Sequence, residues 1–250
     1  SFLNVNQRLS ASFDRLVPEY FRTPGKKTFC EDVVPSLIAD RQTIYDLGAG
    51  SRPFLSPSEK SDRGIRVIGL DIDGDELSKA PAGSYDAIHV CDLAQFSGQE
   101  DADFVICQAA LEHVSDTEGS MRAIASSLKP GGRAAIFVPC RNAVFARLNL
   151  ILPQGFKQRI LFTVFPSKAE GHDGFEAHYD NCTPSRIKKL AEQVGLKVEQ
   201  ERFFWISSYF SVFFPVYILW RFWTVTAATL LGNDYCETFV LVLRKESADR

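Results

Sequence analysis

Thr43-Ile44-Tyr45-Asp46-Leu47-Gly48-Ala49-Gly50 is a short apolar run that ends on an acid and breaks into a glycine turn. A second run, Val67-Ile68-Gly69-Leu70, closes on Asp71, which stands 25 positions after Asp46 (71 − 46). That interval is expected when two acids end neighbouring parallel strands. Glycine lets a turn adopt positive φ and bring backbone close to a ligand, and an acid about 20 residues downstream can hold two ribose hydroxyls bidentately. The pair reads as a nucleoside cradle. Arg52 and Pro53 follow Ser51 where a dinucleotide fingerprint carries its third glycine, which disfavours a pyrophosphate at the helix N-terminus and demotes a nicotinamide cofactor. Asp92 follows a third run, where an acid can meet a base edge.

Outward from this turn, strand patterns are expected at Gln42 to Asp46, Ile65 to Asp71, Ala87 to Cys91, Asp103 to Gln108, Arg133 to Val138, Leu196 to Phe204 and Thr238 to Leu243. Helical patterns alternate with them. Thr117 to Leu128 sets Met121, Ile124 and Leu128 on one face and stops at Lys129-Pro130-Gly131-Gly132. A second helix opens with Thr183 as N-cap and Pro184 at its first position, and stops at Gly195. Val5, Leu9, Phe13, Leu16, Val17 and Tyr20 recur at helical spacing, and Thr28 to Ile38 continues helically, so residues 1–40 form a helical cap before the sheet. The fold class is α/β, a doubly wound and mostly parallel sheet in one domain over residues 1–250.

A 250-residue chain with 45% apolar content suits one substantial core. Its net charge of −3 lacks the cationic excess that nucleic-acid binding requires. The six cysteines show no CxxC pair, so neither zinc nor a disulfide framework is expected. That absence, and the polar Asn4, Asn6, Gln7 and Arg8 where a signal peptide is apolar, lead to the expectation of a cytoplasmic protein.

Two stretches depart from an ordinary α/β domain. Arg141 to Lys168, within a basic aromatic lid insertion at 141–180, holds Arg141, Arg147, Lys157, Arg159 and Lys168 among aromatic and aliphatic residues and has no acid. Phe203 to Asn233 carries one charge, Arg221. A membrane span there would strand the final β-run on the far side of the bilayer, so the expectation is an apolar helix pair bent near Pro215. It serves as core packing, a substrate cap, a homodimer surface or a peripheral membrane contact.

With these motifs in order, the chain resembles the class I S-adenosylmethionine-dependent methyltransferases from Gln42 to Lys245. The resemblance rests on Asp46-Leu47-Gly48-Ala49-Gly50, Gly69-Leu70-Asp71-Ile72-Asp73, Cys91-Asp92-Leu93, Asp103 to Gln108 with Leu111-Glu112-His113-Val114, and Leu128-Lys129-Pro130-Gly131-Gly132. It implies a Rossmann-like seven-stranded sheet of order 3-2-1-4-5-7-6 with helical lid insertions. It further implies Asp46, Gly48, Ala49 and Gly50 beside the methionine portion of S-adenosylmethionine, Asp71 with Ile72 at the ribose, Asp92 with Leu93 at the adenine, and Gln108 near the methyl group. S-adenosylhomocysteine would be the product.

Metal-dependent members of the family carry Glu-x-x-Glu-His where this chain has Ala109, Glu112 and His113, so no metal is expected. A hydroxyl acceptor benefits from a general base, and histidine titrates in the right range. His113, after the fourth strand, and His178, in the loop before the Thr183 helix, are the catalytic candidates. His172 shares that loop, and His89 reads as structural. The expected reaction is O-methylation of a small-molecule, glycan-like or lipid-linked acceptor. The alternatives are a natural-product or quinone-like O- or N-methyltransferase and a silent cofactor-binding scaffold.

Overall fold

The computed structural model describes residues 2–153 and 176–247. The seven expected strands form one sheet, β1 (Thr43–Leu47), β2 (Arg66–Asp71), β3 (Ala87–Val90), β4 (Ala102–Gln108), β5 (Leu128–Pro139), β6 (Leu196–Phe204) and β7 (Thr238–Lys245). Their order is β3-β2-β1-β4-β5-β7-β6. The pairs β1–β2, β1–β4, β2–β3 and β4–β5 are parallel, and β7 runs antiparallel to both β5 and β6. The chain leaves β1 for β2 on one side and returns at β4 on the other, which opens a crevice beyond their carboxyl ends.

The central strands are apolar on both faces because helices cover both. Successive residues alternate sides: Tyr45, Leu47, Val105 and Cys107 pack against Met121 and Ile124, while Ile44, Phe104 and Ile106 pack against Phe29, Val33 and Val34. Each such fully buried aliphatic side chain contributes roughly 1.5–3 kcal/mol relative to exposure. Met121 and Ile124 come from α6 (Thr117–Ser127), Phe29 and Val33 from the π-helical turn that joins α2 (Gly25–Thr28) to α3 (Val34–Leu37), and Val34 from α3; the other helices of residues 2–153 are α1 (Phe2–Asp14), α4 (Pro57–Asp62), α5 (Gly74–Ser78) and α7 (Val144–Ile151). Two more follow, α8 (Pro184–Gln193) and α9 (Phe214–Leu230).

Three local expectations change. The Pro215 stretch is one helix: the short 3-10 turn Tyr209–Val212 leads into α9, and Pro215 sits in its first turn, where a missing N–H costs nothing and no kink arises. Helix α6 ends at Ser127, and Leu128 already belongs to β5; Gly131, at φ 82, lies inside an irregular entry to that strand. Thr183 occupies the N-cap position of α8 without a side-chain bond. Asp234 does the capping from a distance, its Oδ1 accepting the Ser185 N–H at 2.8 Å. No helix among the described residues is long and apolar enough to cross a membrane.

Candidate cofactor and acceptor site

The glycine turn is tied back onto β2. Gly48 and Ala49 donate their N–H groups to the Leu70 carbonyl at 2.8 and 3.1 Å, and Gly50 donates to Asp71 Oδ2 at 2.9 Å. Gly48 and Gly50 have φ of 75° and 53°, and a Cβ at 48 would lie 2.5 Å from Ala110 Cβ. Glycine at 48 is thus required by conformation and by space. With three successive N–H groups taken internally, the turn offers none of them to an anion. This suits a cationic sulfonium and suits a pyrophosphate poorly.

Asp71 organises this end of the sheet. Besides Gly50, it accepts the Asp73 N–H on Oδ1 at 3.0 Å, so each carboxylate oxygen retains a lone pair for one hydroxyl of a diol. Asp46 is buried behind it. Burial, opposed by the Phe54 N–H and reinforced by the Asp71 charge, pushes the Asp46 carboxyl up to about 7. Tyr85, which the sequence reading passed over, braces the turn from the β3 side. Its hydroxyl donates to the carbonyls of Ala49 and Gly50 at 3.1 and 3.3 Å, and its ring fills the space above Gly69, where a Cβ would come within 2.8 Å.

Two cavities flank the turn. One, of about 420 Å³, is bordered by Asp46, Gly48, Ala49 and Gln108 together with Cys30 and Phe54. Gln108 Oε1 accepts the Cys30 thiol at 3.1 Å, which ties the N-terminal helices to the tip of β4. The other, of about 630 Å³, is lined by Ile72, Asp73, Gly74 and Asp75 on one wall and His113, Glu176 and His178 on the other. Ile72 is 65% exposed and presents an apolar surface to it. Asp92 and Leu93 stand apart from both linings: Asp92 accepts the Ala94 N–H at 2.9 Å and so caps the 3-10 turn Leu93–Gln95, and the Leu93 side chain enters the core.

The two candidate histidines share one wall although 65 positions separate them (178 − 113). Their loops meet through backbone, with the N–H groups of His178 and Tyr179 both donating to the Glu112 carbonyl at 2.8 and 2.9 Å. Arg141 holds the same loop by donating to the Tyr179 carbonyl at 2.7 Å. His113 Nδ1 lies 3.0 Å from the Glu176 carbonyl. A carbonyl can only accept, so Nδ1 carries a proton in this contact. Glu112 Oε1 is 3.9 Å from Nε2 of the same ring. The Glu112 side chain is buried, its Oε2 has no hydrogen-bond partner among the described residues, and burial pushes its carboxyl up to about 8. Tyr179 turns into the core and Asp180 accepts the Thr117 N–H at 3.1 Å, so both are committed away from His178. His89 sits on edge strand β3, tilted against Phe96 at 5.3 Å. His172 and most of the basic lid lie outside the described residues. Among the described residues no three His, Cys, Asp or Glu side chains converge on a metal position.

A family model described as a methyltransferase domain matches residues 5–201. Curated relatives include a ubiquinone biosynthesis O-methyltransferase of Aeromonas salmonicida, 30% identical over 162 residues that cover 62% of this chain and 63% of that protein. The chain therefore spans less than two thirds of that relative's length. One of the same description from Marinobacter nauticus is 29% identical over 68% of this chain and 80% of its own length. Among solved structures, an S-adenosylmethionine-dependent methyltransferase from Mesorhizobium loti superposes with a TM-score of 0.56 at 16% identity, covering 90% of this chain and 100% of that one. Phosphoethanolamine N-methyltransferase 2 of Haemonchus contortus, in complex with S-adenosyl-L-methionine, gives 0.54 at 14% identity over 99% of this chain and 60% of that one. At such identities the likeness is one of fold.

Proposed function

The chain belongs to the methyltransferase domain family, and from that premise we propose that it methylates a hydroxyl of a small-molecule, glycan-like or lipid-linked acceptor with S-adenosylmethionine as donor. The observation that carries this reading is the cleft whose one wall follows Asp71 and whose other wall holds both His113 and His178. The cradle suits the donor: Asp71 has a lone pair on each oxygen for the ribose diol, and the turn withholds its N–H groups from anions. Asp46 and Gln108 border the cavity on the methionine side.

Bound in this cradle, S-adenosylmethionine supplies a methyl carbon already activated by its sulfonium sulfur. The chain's own task is then to align the acceptor oxygen in line with the carbon–sulfur bond and to keep water out. With the acceptor oxygen attacking that methyl carbon, a histidine would take the hydroxyl proton, and the sulfur would leave with its electron pair as S-adenosylhomocysteine. We assign His113 as the base and His178 to orienting the acceptor, a reading supported by their shared cavity wall. The description of the curated relatives favours oxygen over nitrogen and a quinone-like ring. A cytoplasmic enzyme in peripheral contact with a membrane would reach a lipid-linked acceptor of that kind.

The test uses a radiolabelled methyl donor with catechols and polyprenylated phenols. Wild type is expected to label at least one acceptor, and His113→Ala to lower kcat by roughly a hundredfold, the usual contribution of a general base. Calorimetric affinity for S-adenosylhomocysteine should stay unchanged. Tight cofactor binding without label on any acceptor would identify a scaffold, and an unaltered kcat in His113→Ala would remove the base assignment.

A further inference from the structure

Helix α1 is built inside out. A helix folding in water ordinarily hides its apolar stripe, yet the buried residues of α1 are Asn6 and Ser10. Asn6 Oδ1 accepts the Phe214 N–H at 2.9 Å, Ser10 donates to the Ser211 carbonyl at 3.2 Å, and Asp14 Oδ1 accepts Arg221 Nε–H at 2.7 Å. Phe2, Val5 and Leu9 stand in the open beside them, followed by Leu16, which is 82% exposed.

Helix α9 repeats the inversion. Its single charge, Arg221, is buried together with Tyr217, Trp220, Thr224 and Ala227, whereas Val216, Leu219, Phe222 and Trp223 are exposed. Ring contacts Phe2–Phe213 at 6.3 Å and Phe13–Phe222 at 6.5 Å join the two helices. Phe145–Tyr209 at 5.3 Å brings α7 alongside, with exposed Leu148 and Ile151. Asp14 is the one acid in these three helices, and Arg221 neutralises it. What remains charged and exposed is Arg8 on α1, Arg15 just after it, and Arg147 on α7.

We propose that the joint outer face of α1 and α9 docks into the headgroup boundary of an anionic lipid bilayer, with Arg8, Arg15 and Arg147 meeting lipid phosphates. Turning Asn6 and Ser10 inward and Leu9 outward is favourable where the outer medium is apolar. Helices that expose Arg8, Arg15 and Arg147 while their one acid, Asp14, is paired with Arg221 complement phosphates. A second copy on a two-fold axis would bring the same cations together with no acid to meet them. No described helix is long enough to span, so the face lies on the membrane. This docking does not depend on the acceptor reading, since vesicle binding and methyl transfer are measured separately.

The full chain is tested by flotation with vesicles of phosphatidylcholine alone and of phosphatidylcholine with phosphatidylglycerol. Flotation is expected with the anionic vesicles, together with a blue shift of tryptophan emission that is lost in Trp223→Leu. Arg8→Gln and Arg15→Gln should each weaken binding roughly fivefold, as expected for one cation near a charged surface. Leu219→Glu should abolish it while melting temperature and S-adenosylhomocysteine affinity hold. Flotation with neither vesicle would overturn the proposal. So would a dimer in sedimentation velocity that Leu219→Glu dissociates, because the face would then be a self-interface.

Discussion

The glycine turn and the α1–α9 pair both bury polar groups, but they satisfy them in different ways. At the turn the partners are the Leu70 carbonyl and Asp71 carboxylate of the adjacent strand and one tyrosine hydroxyl, with donor–acceptor distances up to about 3.3 Å. Between α1 and α9 the partners are long charged and aromatic side chains. Arg221 bonds Asp14 and the carbonyls of Phe21 and Trp205 and leans over the rings of Tyr217 and Trp220. Trp220 donates to Glu237, 2.9 Å away. Arg221 Nη2 and Glu237 Oε2 are still left without partners among the described residues. Backbone closure makes a rigid cradle whose geometry the sheet dictates. Side-chain closure holds a helix pair in an orientation that its apolar residues alone would not choose.

The sharpest way to break this contrast is to remove Arg221. Arg221→Ala strands Asp14 in a largely buried site and leaves two carbonyls without their donor, so unfolding free energy should fall by about 3–5 kcal/mol, the usual cost of breaking a buried pair. Arg221→Met with Asp14→Asn removes both charges and should recover at least half of that loss. Urea titration of the three proteins decides it. A single-variant loss below about 1 kcal/mol would show that the network is ornamental to stability.

A smaller effect separates two buried acids, one bonded to the helix pair and one at the acceptor wall. Glu237 is pushed up to about 7, with the Trp220 N–H and Arg221 offsetting part of its burial. Glu112, at the acceptor wall, reaches about 8, with only its own backbone N–H opposing burial. A raised carboxyl pKa means that the folded state binds more protons than the unfolded state between the unfolded value near 4.5 and the folded value. Stability is therefore lost as pH rises through that window. Glu112→Gln carries no such burden. Its stability relative to wild type should climb between pH 5 and pH 9 by about 2–4 kcal/mol, allowing for relaxation around the charge. Melting temperatures across that range measure it, and parallel curves for the two proteins would place the Glu112 carboxyl in a wetter setting.

The two regions also differ in how far the sequence revealed them. The strands and their order follow from apolar runs, turn residues and the resemblance, most plainly for the central ones, because a buried parallel strand has no other composition available. Gly48, Gly50 and Asp71 were legible for a similar reason, since a turn at positive φ beside a strand-ending acid leaves few residue choices. Periodicity located α1 but gave its orientation no sign: Val5 and Leu9 mark a stripe whether it faces in or out, and the buried Asn6 and Ser10 depend on partners some two hundred residues away. Pro215 suggested a bend because its place within the helix was unknown; in the first turn it begins α9. The meeting of His113 with His178 runs through backbone bonds to Glu112, which carry no side-chain signature. Tyr85 was invisible for a plainer reason, as one tyrosine between α5 and β3 belongs to no pattern.

Tyr85 therefore offers the finest test of the backbone-closed region. Burial, together with the charges of Asp46 and Asp71, raises its hydroxyl pKa, so it remains a neutral donor to the Ala49 and Gly50 carbonyls throughout the working range. Tyr85→Phe keeps the ring over Gly69 and deletes only the hydroxyl. The turn loses its brace on one side while Leu70 and Asp71 still hold it on the other. One hydrogen bond of this kind is worth about 0.5–1.5 kcal/mol, so S-adenosylhomocysteine affinity should fall between about two- and tenfold by calorimetry. The matched control is Tyr217→Phe, which deletes the hydroxyl that bonds Asp14 in the helix pair and should leave that affinity alone while lowering stability by a similar amount. If Tyr85→Phe cost stability without touching affinity, the turn would be held by β2 alone. If Tyr217→Phe weakened cofactor binding, the helix pair and the cradle would be coupled rather than separate devices.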